Sequence, residues 1–336
     1  MKTINLALQG GGSHGAFTWG VLERFLEDER ISFEGICGTS AGAVNAAVLA
    51  YGLTSGGRSR AIELLEQLWQ RISVAQWFSP LQPSLTDRLI GDGSMKFSPM
   101  YHWTEFMLSL FPPHSMNPMN FNPLELILSD MIDFEVLSQC QEIKLFVCAT
   151  NVKTSRVKVF RTPEITVKTI LASACLPTYF QSVQIGEDYY WDGGYAGNPP
   201  VFPLIDHTKS PDILVVQIDP IRTETLPLTV DEIRDRINEL SFNMSLMYEM
   251  RKINFVQKLL DKGINFGDKF RDVYIHHIHP HDYFKGMGTD SKFNADWQYL
   301  NRLRNIGRNV ADEWINNHFE HIGKQSTCDI AQTFLS

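Results

Sequence analysis

Short, unbroken apolar runs alternate along the N-terminal half of this chain with stretches where apolar residues recur every three or four positions. Ile4 to Leu8 has the length and continuity of a buried strand. Ala16 to Leu26 follows with Trp19, Leu22, Phe25 and Leu26 on one side, the pattern of a helix resting on a core. Phe33 to Cys37 is a second strand, and Ala43 to Ala50 a helix of small residues able to lie close to a sheet. Gly52 to Gly57 breaks it, and Ala61 to Ile72 resumes as an amphipathic helix. Strand, helix, strand, helix requires parallel pairing through right-handed crossovers, hence a layered α/β fold.

Residues 78–122 are different in character. They are rich in Pro, Met, Phe and Trp, with Pro112-Pro113 and Met116-Asn117-Pro118 as breakers and no sustained period, as expected of a lid-like or lipid-binding insertion. Beyond it, Leu124 to Ser129 reads as helix, Lys144 to Thr150 and Val157 to Phe160 as strands, and Val167 to Ala174 as a helix stopped before Pro177. Ile213 to Ile218 is a buried strand, Thr229 to Leu260 a long helix, Val273 to Ile278 a last strand, and Asp296 to Phe319 a closing amphipathic helix. The expected organisation is a catalytic domain over 1–220 and a mainly helical extension over 221–336 packed on it.

Two glycine-rich turns carry the chemistry. Gly10-Gly11-Gly12-Ser13-His14-Gly15 follows the first strand, and Gly38-Thr39-Ser40-Ala41-Gly42 follows the second. A strand, a G-x-S-x-G turn and a small-residue helix form the setting that presents a serine as a nucleophile on a sharp elbow. Bare backbone N–H groups at Gly10, Gly11 and Gly12, ahead of a helix, suit an oxyanion. A phosphate-cradling role fits less well, because G-x-x-x-x-G-K-[ST] is absent and no ribose-reading acid follows.

Ser40 needs a base. Ten histidines are present, but His276, His277, His279 and His281 lie on or just past a strand with no glycine turn to aim them. Alternation splits them between faces, so they form at most a partial metal site, and solvated strand-end histidines are expected. Asp192 is better placed. Gly193 and Gly194 follow it and let the chain turn sharply, and Tyr189, Tyr190 and Trp191 precede it as ring surface that would desolvate a carboxylate. Asp87, Asp130 and Asp219 lack such glycines. Ser40 with Asp192 is therefore the expected catalytic pair, and neither cofactor nor metal is called for.

Composition narrows the partners. Of 336 residues, 43% are hydrophobic and 20% charged, an ordinary globular balance, and the net charge of -8 argues against nucleic acid. The five cysteines are scattered through apolar runs without metal-ligand spacing, as for buried thiols in a reducing compartment. No signal peptide and no membrane-spanning run are apparent, so the expectation is a cytoplasmic chain that meets lipid peripherally, at a membrane or a granule.

The glycine loop, the Ser40 elbow and Asp192-Gly193-Gly194, in that order, resemble the three signatures of patatin-like phospholipases. Ala172-Ser173-Ala174-Cys175-Leu176-Pro177 is similar to the family's helix-ending stretch before the aspartate. The resemblance spans roughly Ile4 to Ile218 and implies a three-layer α/β/α fold with a mainly parallel sheet. It also implies metal-free hydrolysis of lipid acyl esters, with Ser40 as nucleophile, Asp192 as base, Gly10 to Gly12 as the oxyanion hole, and His14, Gly15, Gly38, Gly42, Gly193 and Gly194 in support. Leu240-Ser241-Phe242-Asn243 and Phe255 to Leu259 are similar to the C-terminal extension of a bacterial subset, some of which is associated with polyhydroxybutyrate breakdown. A short-chain polyester or thioester substrate, or a lipid-granule binder without turnover, are the alternatives this leaves open. The chain departs from the family at His14, where Arg or Lys is usual; a histidine near neutral pH is only partly charged.

Overall fold

In the computed structural model, residues 1–223, 226–264, 271–284 and 287–336 are described, the side chains at 231, 281 and 282 excepted. Strand β1 (Lys2–Leu8) leads through a 3-10 turn (Gly12–His14) into α1 (Gly15–Glu27), β2 (Ile31–Thr39) and α2 (Ala41–Gln76). The expected break in α2 narrows to one residue, Gly57, with φ of 75°. Next come α3 (Leu85–Ile90), α4 (Pro99–Leu110), α5 (Pro113–Met116), α6 (Pro123–Met131) and α7 (Phe134–Ser138), then β3 (Lys144–Asn151), β4 (Val157–Arg161) and α8 (Val167–Ser173). The chain continues through β5 (Val183–Ile185), β6 (Asp188–Asp192), α9 (Phe202–His207), β7 (Asp212–Val216), α10 (Val230–Asp261), β8 (Tyr274–Ile278) and α11 (Trp297–His318).

The eight strands form one sheet in the order β5-β6-β3-β2-β1-β7-β8, with β4 also paired to β3. The β3-β2-β1-β7-β8 stretch is parallel, and β4, β5 and β6 are antiparallel additions at one side. Alternate residues of each strand point to opposite faces, and a core lies on each. Ile4, Leu6 and Leu8 pack with α1, α2 and α11 on one face; Ala7, Ile213 and Val215 pack with Leu204 of α9 and Leu246 and Met250 of α10 on the other. This is the three-layer α/β/α arrangement, its strands hydrophobic throughout because both faces are covered.

The C-terminal segment is part of that architecture. β8 extends the sheet beside β7, and α11 lies so close to α1 that a Cβ on Gly20 would meet the Arg304 carbonyl oxygen at 1.9 Å. Within residues 78–122, where the sequence shows no sustained period, α3, α4 and α5 form, α4 started by Ser98, whose hydroxyl accepts from the N–H of Tyr101, and by Pro99. No α4 residue is buried. Its apolar residues divide between a cavity and solvent, so no single core-facing stripe marks the helix. No helix among the described residues is long and apolar enough to cross a membrane.

Candidate active site

Strand pairing brings the two principal residues to one place. Ala149 of β3 pairs with Lys158 of β4 on one edge, so its pairing with Asp192 of β6 uses the other. That second edge is where Cys148 pairs with Thr39 of β2. Strands β2 and β6 therefore approach head-on along the same edge of β3, and the chain turns away at Ser40 from one side and at Asp192 from the other.

Ser40 has φ of 54° and ψ of −126°, a strained backbone for a residue with a Cβ. The flanking glycines are sterically required: a Cβ on Gly38 would meet the Gly42 carbonyl oxygen at 2.5 Å, and one on Gly42 the Leu8 carbonyl oxygen at 2.2 Å. The elbow is pinned from below, where the Ser40 N–H donates to Ser173 Oγ at 2.9 Å and Thr39 Oγ1 donates to the Gly197 carbonyl at 2.7 Å. Ser173, quoted only as part of a family-like stretch in the sequence, has this support as its structural role.

Asp192 is 0% exposed. Its N–H donates to the Cys175 carbonyl, Thr150 Oγ1 donates to its carbonyl, and its Oδ1 accepts the N–H of Gly194 at 2.7 Å. Oδ2 has no hydrogen-bond partner, and the Ser40 hydroxyl acts on the carboxylate as a donor that favours the anion. Burial pushes the Asp192 carboxyl up to about 7, against the Gly194 N–H, the Ser40 hydroxyl and the Lys292 ammonium, which favour the anion. Ring surface at the site also comes from beyond the Tyr189-Tyr190-Trp191 run. Tyr190 packs on Phe160 at 5.4 Å, whereas Tyr195 and Phe242, 5.3 Å apart, border the cavity beside Asp192-Gly193-Gly194.

The glycine loop divides its duties. The Gly10 N–H donates to Asn198 Oδ1 at 2.8 Å, so Gly10 is not available as an oxyanion donor, contrary to expectation. Gly11, Gly12 and Ser13 line the cavity with Ser40, at the start of the 3-10 turn, where N–H groups lack an intrahelical partner. Gly15 packs where a Cβ would meet that of Ala41 at 2.8 Å. His14 is buried beneath the loop, its Nε2 2.8 Å from Ser291 Oγ and its ring stacked on Phe284 at 4.4 Å. Burial, with the nearby Lys292 charge, holds its pKa well below the usual histidine range.

The other candidates are engaged elsewhere. Asp87 caps α3 and accepts the Phe97 N–H, and Asp130 pairs with Arg71. His276 is buried between Asp212 and Thr327, not solvated as expected, because it points into the layer under α11. His277 contacts Gln217 and stacks on His279; the side chain of His281 lies outside the described residues. No group of three or more potential metal ligands converges among the described residues. Lys292, from the turn Thr289–Phe293, enters the site unannounced: its Nζ is 2.5 Å from Asp219 Oδ1, and nothing local in the sequence marks it.

Ser40 opens onto a cavity of about 660 Å³, within the roughly 300–1,000 Å³ of sites that enclose small ligands. Trp69 and Ile72 of α2, Leu108 of α4, Ile127 of α6 and Phe293 make its apolar walls. The outward side of α4 and its flanks exposes Met100, Trp103, Phe106 and Leu110.

A parallel sheet with a glycine loop after its first strand and a serine elbow after its second, opening on an apolar cavity, defines the class of α/β lipid hydrolases. The chain belongs to the patatin-like phospholipase family, whose model matches residues 6–205. Among solved structures it is similar to VipD from Legionella pneumophila, at 15% identity over 95% of this chain and 67% of that one, with a TM-score of 0.47. It is also similar to ExoU in the heterodimeric ExoU-SpcU complex of the Pseudomonas aeruginosa type III secretion system, at 19% identity over 77% of this chain and 52% of that one, with a TM-score of 0.32. The chain thus spans about two thirds of the first and about half of the second. No curated protein sequence matches it significantly.

Proposed function

We propose that this protein hydrolyses acyl esters of lipids, most directly as a phospholipase A, with Ser40 and Asp192 as its working pair. Ser40 Oγ attacks the ester carbonyl carbon while Asp192 takes the hydroxyl proton. The N–H groups of Gly11 and Gly12 hold the oxyanion. Collapse expels the alcohol, which leaves with the proton from Asp192, and the acyl group stays on Ser40. Water, deprotonated by Asp192, then attacks the acyl-enzyme carbonyl, and the fatty acid is released as Ser40 Oγ takes the proton back from Asp192. The observation that carries this reading is the meeting of a strained serine elbow and a buried, basic carboxylate on one edge of β3.

The deciding experiment is fatty-acid release from phospholipid vesicles, compared with p-nitrophenyl butyrate, an acyl thioester and amorphous polyhydroxybutyrate. Release from phospholipid above the other natural substrates supports the reading; preferential turnover of the polyester or thioester replaces it with the corresponding short-chain hydrolase, and no turnover leaves a lipid-binding protein.

The exposed apolar face of α4 fits contact with a lipid surface around the cavity mouth. Replacing Trp103, Phe106 and Leu110 together by Ser should reduce hydrolysis of vesicles by roughly tenfold or more and leave the soluble ester nearly unchanged, since about 1.4 kcal/mol of lost interfacial binding is tenfold. Equal loss on both substrates would make the segment purely structural.

His14 serves in this account as packing beneath the oxyanion loop. His14→Ala should lower thermal stability by about 1–3 kcal/mol through the lost stacking on Phe284 and the lost contact with Ser291 Oγ, which keeps its own bond to the Gly288 carbonyl. The pH–rate profile on the soluble ester should keep its shape. Loss of a titration on passing from wild type to His14→Ala would restore a charged role for this residue.

A further inference from the structure

Asp219 lies wholly buried just beyond β7, where an isolated carboxylate would be very costly. Its backbone is clamped beside the glycine loop: Gln9 Oε1 accepts the N–H groups of Ile218 and Asp219 at 2.7 and 2.8 Å, and Gln217 Nε2 donates to the Asp219 carbonyl at 2.6 Å. The counter-charge is the Lys292 ammonium at 2.5 Å. Neither Asp219 oxygen has a partner at hydrogen-bonding angles, so the contact is an ion pair and not an aligned bond. An ammonium held this way keeps donors free for another acceptor.

The turn that carries Lys292 is pressed onto the glycine loop. A Cβ on Gly12 would meet the Lys292 carbonyl oxygen at 2.4 Å, and Ser291 on the same turn holds His14. Lys292 lines the cavity together with Gly11, Gly12 and Ser40, with Nζ 5.8 Å from the centroid of the Phe242 ring. Its charge favours the anion of Asp192, while that of Asp219 opposes it. The other titratable groups around Asp192 are neutral: burial pushes up the thiols of Cys148 on β3 and Cys175 after α8 and the phenol of Tyr195, and pushes down His14. On α10, Glu249 acts on Cys37 and Cys148, and Arg234 on Tyr179. Two buried carboxylates therefore share one ammonium.

We propose that Lys292, anchored by Asp219, is the positioning charge of this site: it keeps Asp192 a carboxylate and turns a positive field toward the glycine loop. The inference rests on the reading of Asp192 as the base. Without Lys292, two like charges would face each other in a dry site, and Asp192 would take up a proton. Without Asp219, the full ammonium field would fall on Asp192 and make it a weaker base.

The test is the pH dependence of kcat/KM on p-nitrophenyl butyrate for wild type, Lys292→Gln, Lys292→Arg, Asp219→Asn and Asp192→Asn, each first checked for folding by circular dichroism. Lys292→Gln should move the acid limb up by about one pH unit or more, Asp219→Asn should move it down, and Lys292→Arg should keep it near the wild-type position. Removing the charge should also lower the plateau by roughly tenfold through the weakened field at the oxyanion. Opposite shifts are what a merely structural pair would not produce. Should Lys292→Gln fail to fold, the downward shift in Asp219→Asn decides alone. Limbs that stay in place, or move together, overturn the proposal. If Asp192→Asn is inactive while the limbs of the other variants do not move, this inference alone fails; if Asp192→Asn keeps wild-type activity, the reading of the base fails instead.

Discussion

Ser40→Ala should leave a folded protein whose ester hydrolysis is reduced by roughly three powers of ten or more, the usual consequence of deleting a nucleophile. The substitution removes only the hydroxyl. The Ser40 N–H bond to Ser173 and the close packing of Gly38 and Gly42 are backbone features that alanine keeps. The strained φ of 54° also remains, since alanine carries the same Cβ. Stability should therefore change little, and a melting curve close to that of wild type separates lost chemistry from lost fold. Retention of more than about a tenth of wild-type turnover would require another nucleophile.

Asp192→Asn should be nearly as severe, roughly three to four powers of ten, because the amide keeps the shape and the Gly194 contact but has no basicity. In wild type, the carboxyl pushed up to about 7 must be ionised to accept the Ser40 proton, so kcat/KM should fall about tenfold per pH unit below that value. The same shift has a stability consequence of definite sign. The ordinary carboxyl value is 3.8, so between 3.8 and about 7 the folded chain binds more protons than the unfolded one. Stability contributed by Asp192 is thus lost as pH rises through that window, and the loss is complete above it. Asparagine does not ionise. Asp192→Asn should be more stable than wild type at pH 8, by on the order of a few kcal/mol at most, and close to it near pH 4. An inactive variant that melts higher is the pattern expected of a functional carboxylate held in an unfavourable place. If the variant instead melts lower at pH 8, the carboxylate is structural.

Much of this was legible in the sequence where the constraint is local. The runs at Ile4 to Leu8, Phe33 to Cys37 and Ile213 to Ile218 read as strands because both faces of a covered parallel sheet must be apolar. Ser40 stood out because Gly38 and Gly42 have no room for a side chain, a requirement written into five consecutive residues. Asp192 stood out through Gly193, whose Cβ would meet the Cys148 carbonyl oxygen at 2.3 Å, and through Gly194, held against Phe242. Part of the ring surface at the site could not be read beside Asp192, because Phe242 arrives from α10. Helix α4 was missed because it covers a cavity and not a core, so its apolar residues follow no single stripe. Gly10 was assigned to the oxyanion because its neighbours suggested it; its N–H is bound by Asn198, a partner far along the chain. Lys292 and Asp219 meet only through the fold, and no spacing foretells that pair. Short elements such as β5, α7 and α9 carry too few residues for any period to emerge.

The central claim is that Ser40 is an activated nucleophile. The most direct measurement is reaction of the purified protein with a fluorophosphonate probe, followed by peptide mass spectrometry. A single adduct on Ser40, formed by wild type, absent from Ser40→Ala and strongly slowed in Asp192→Asn, is the result expected. An adduct on another serine, or no adduct at all under conditions that label a control serine hydrolase, would contradict it.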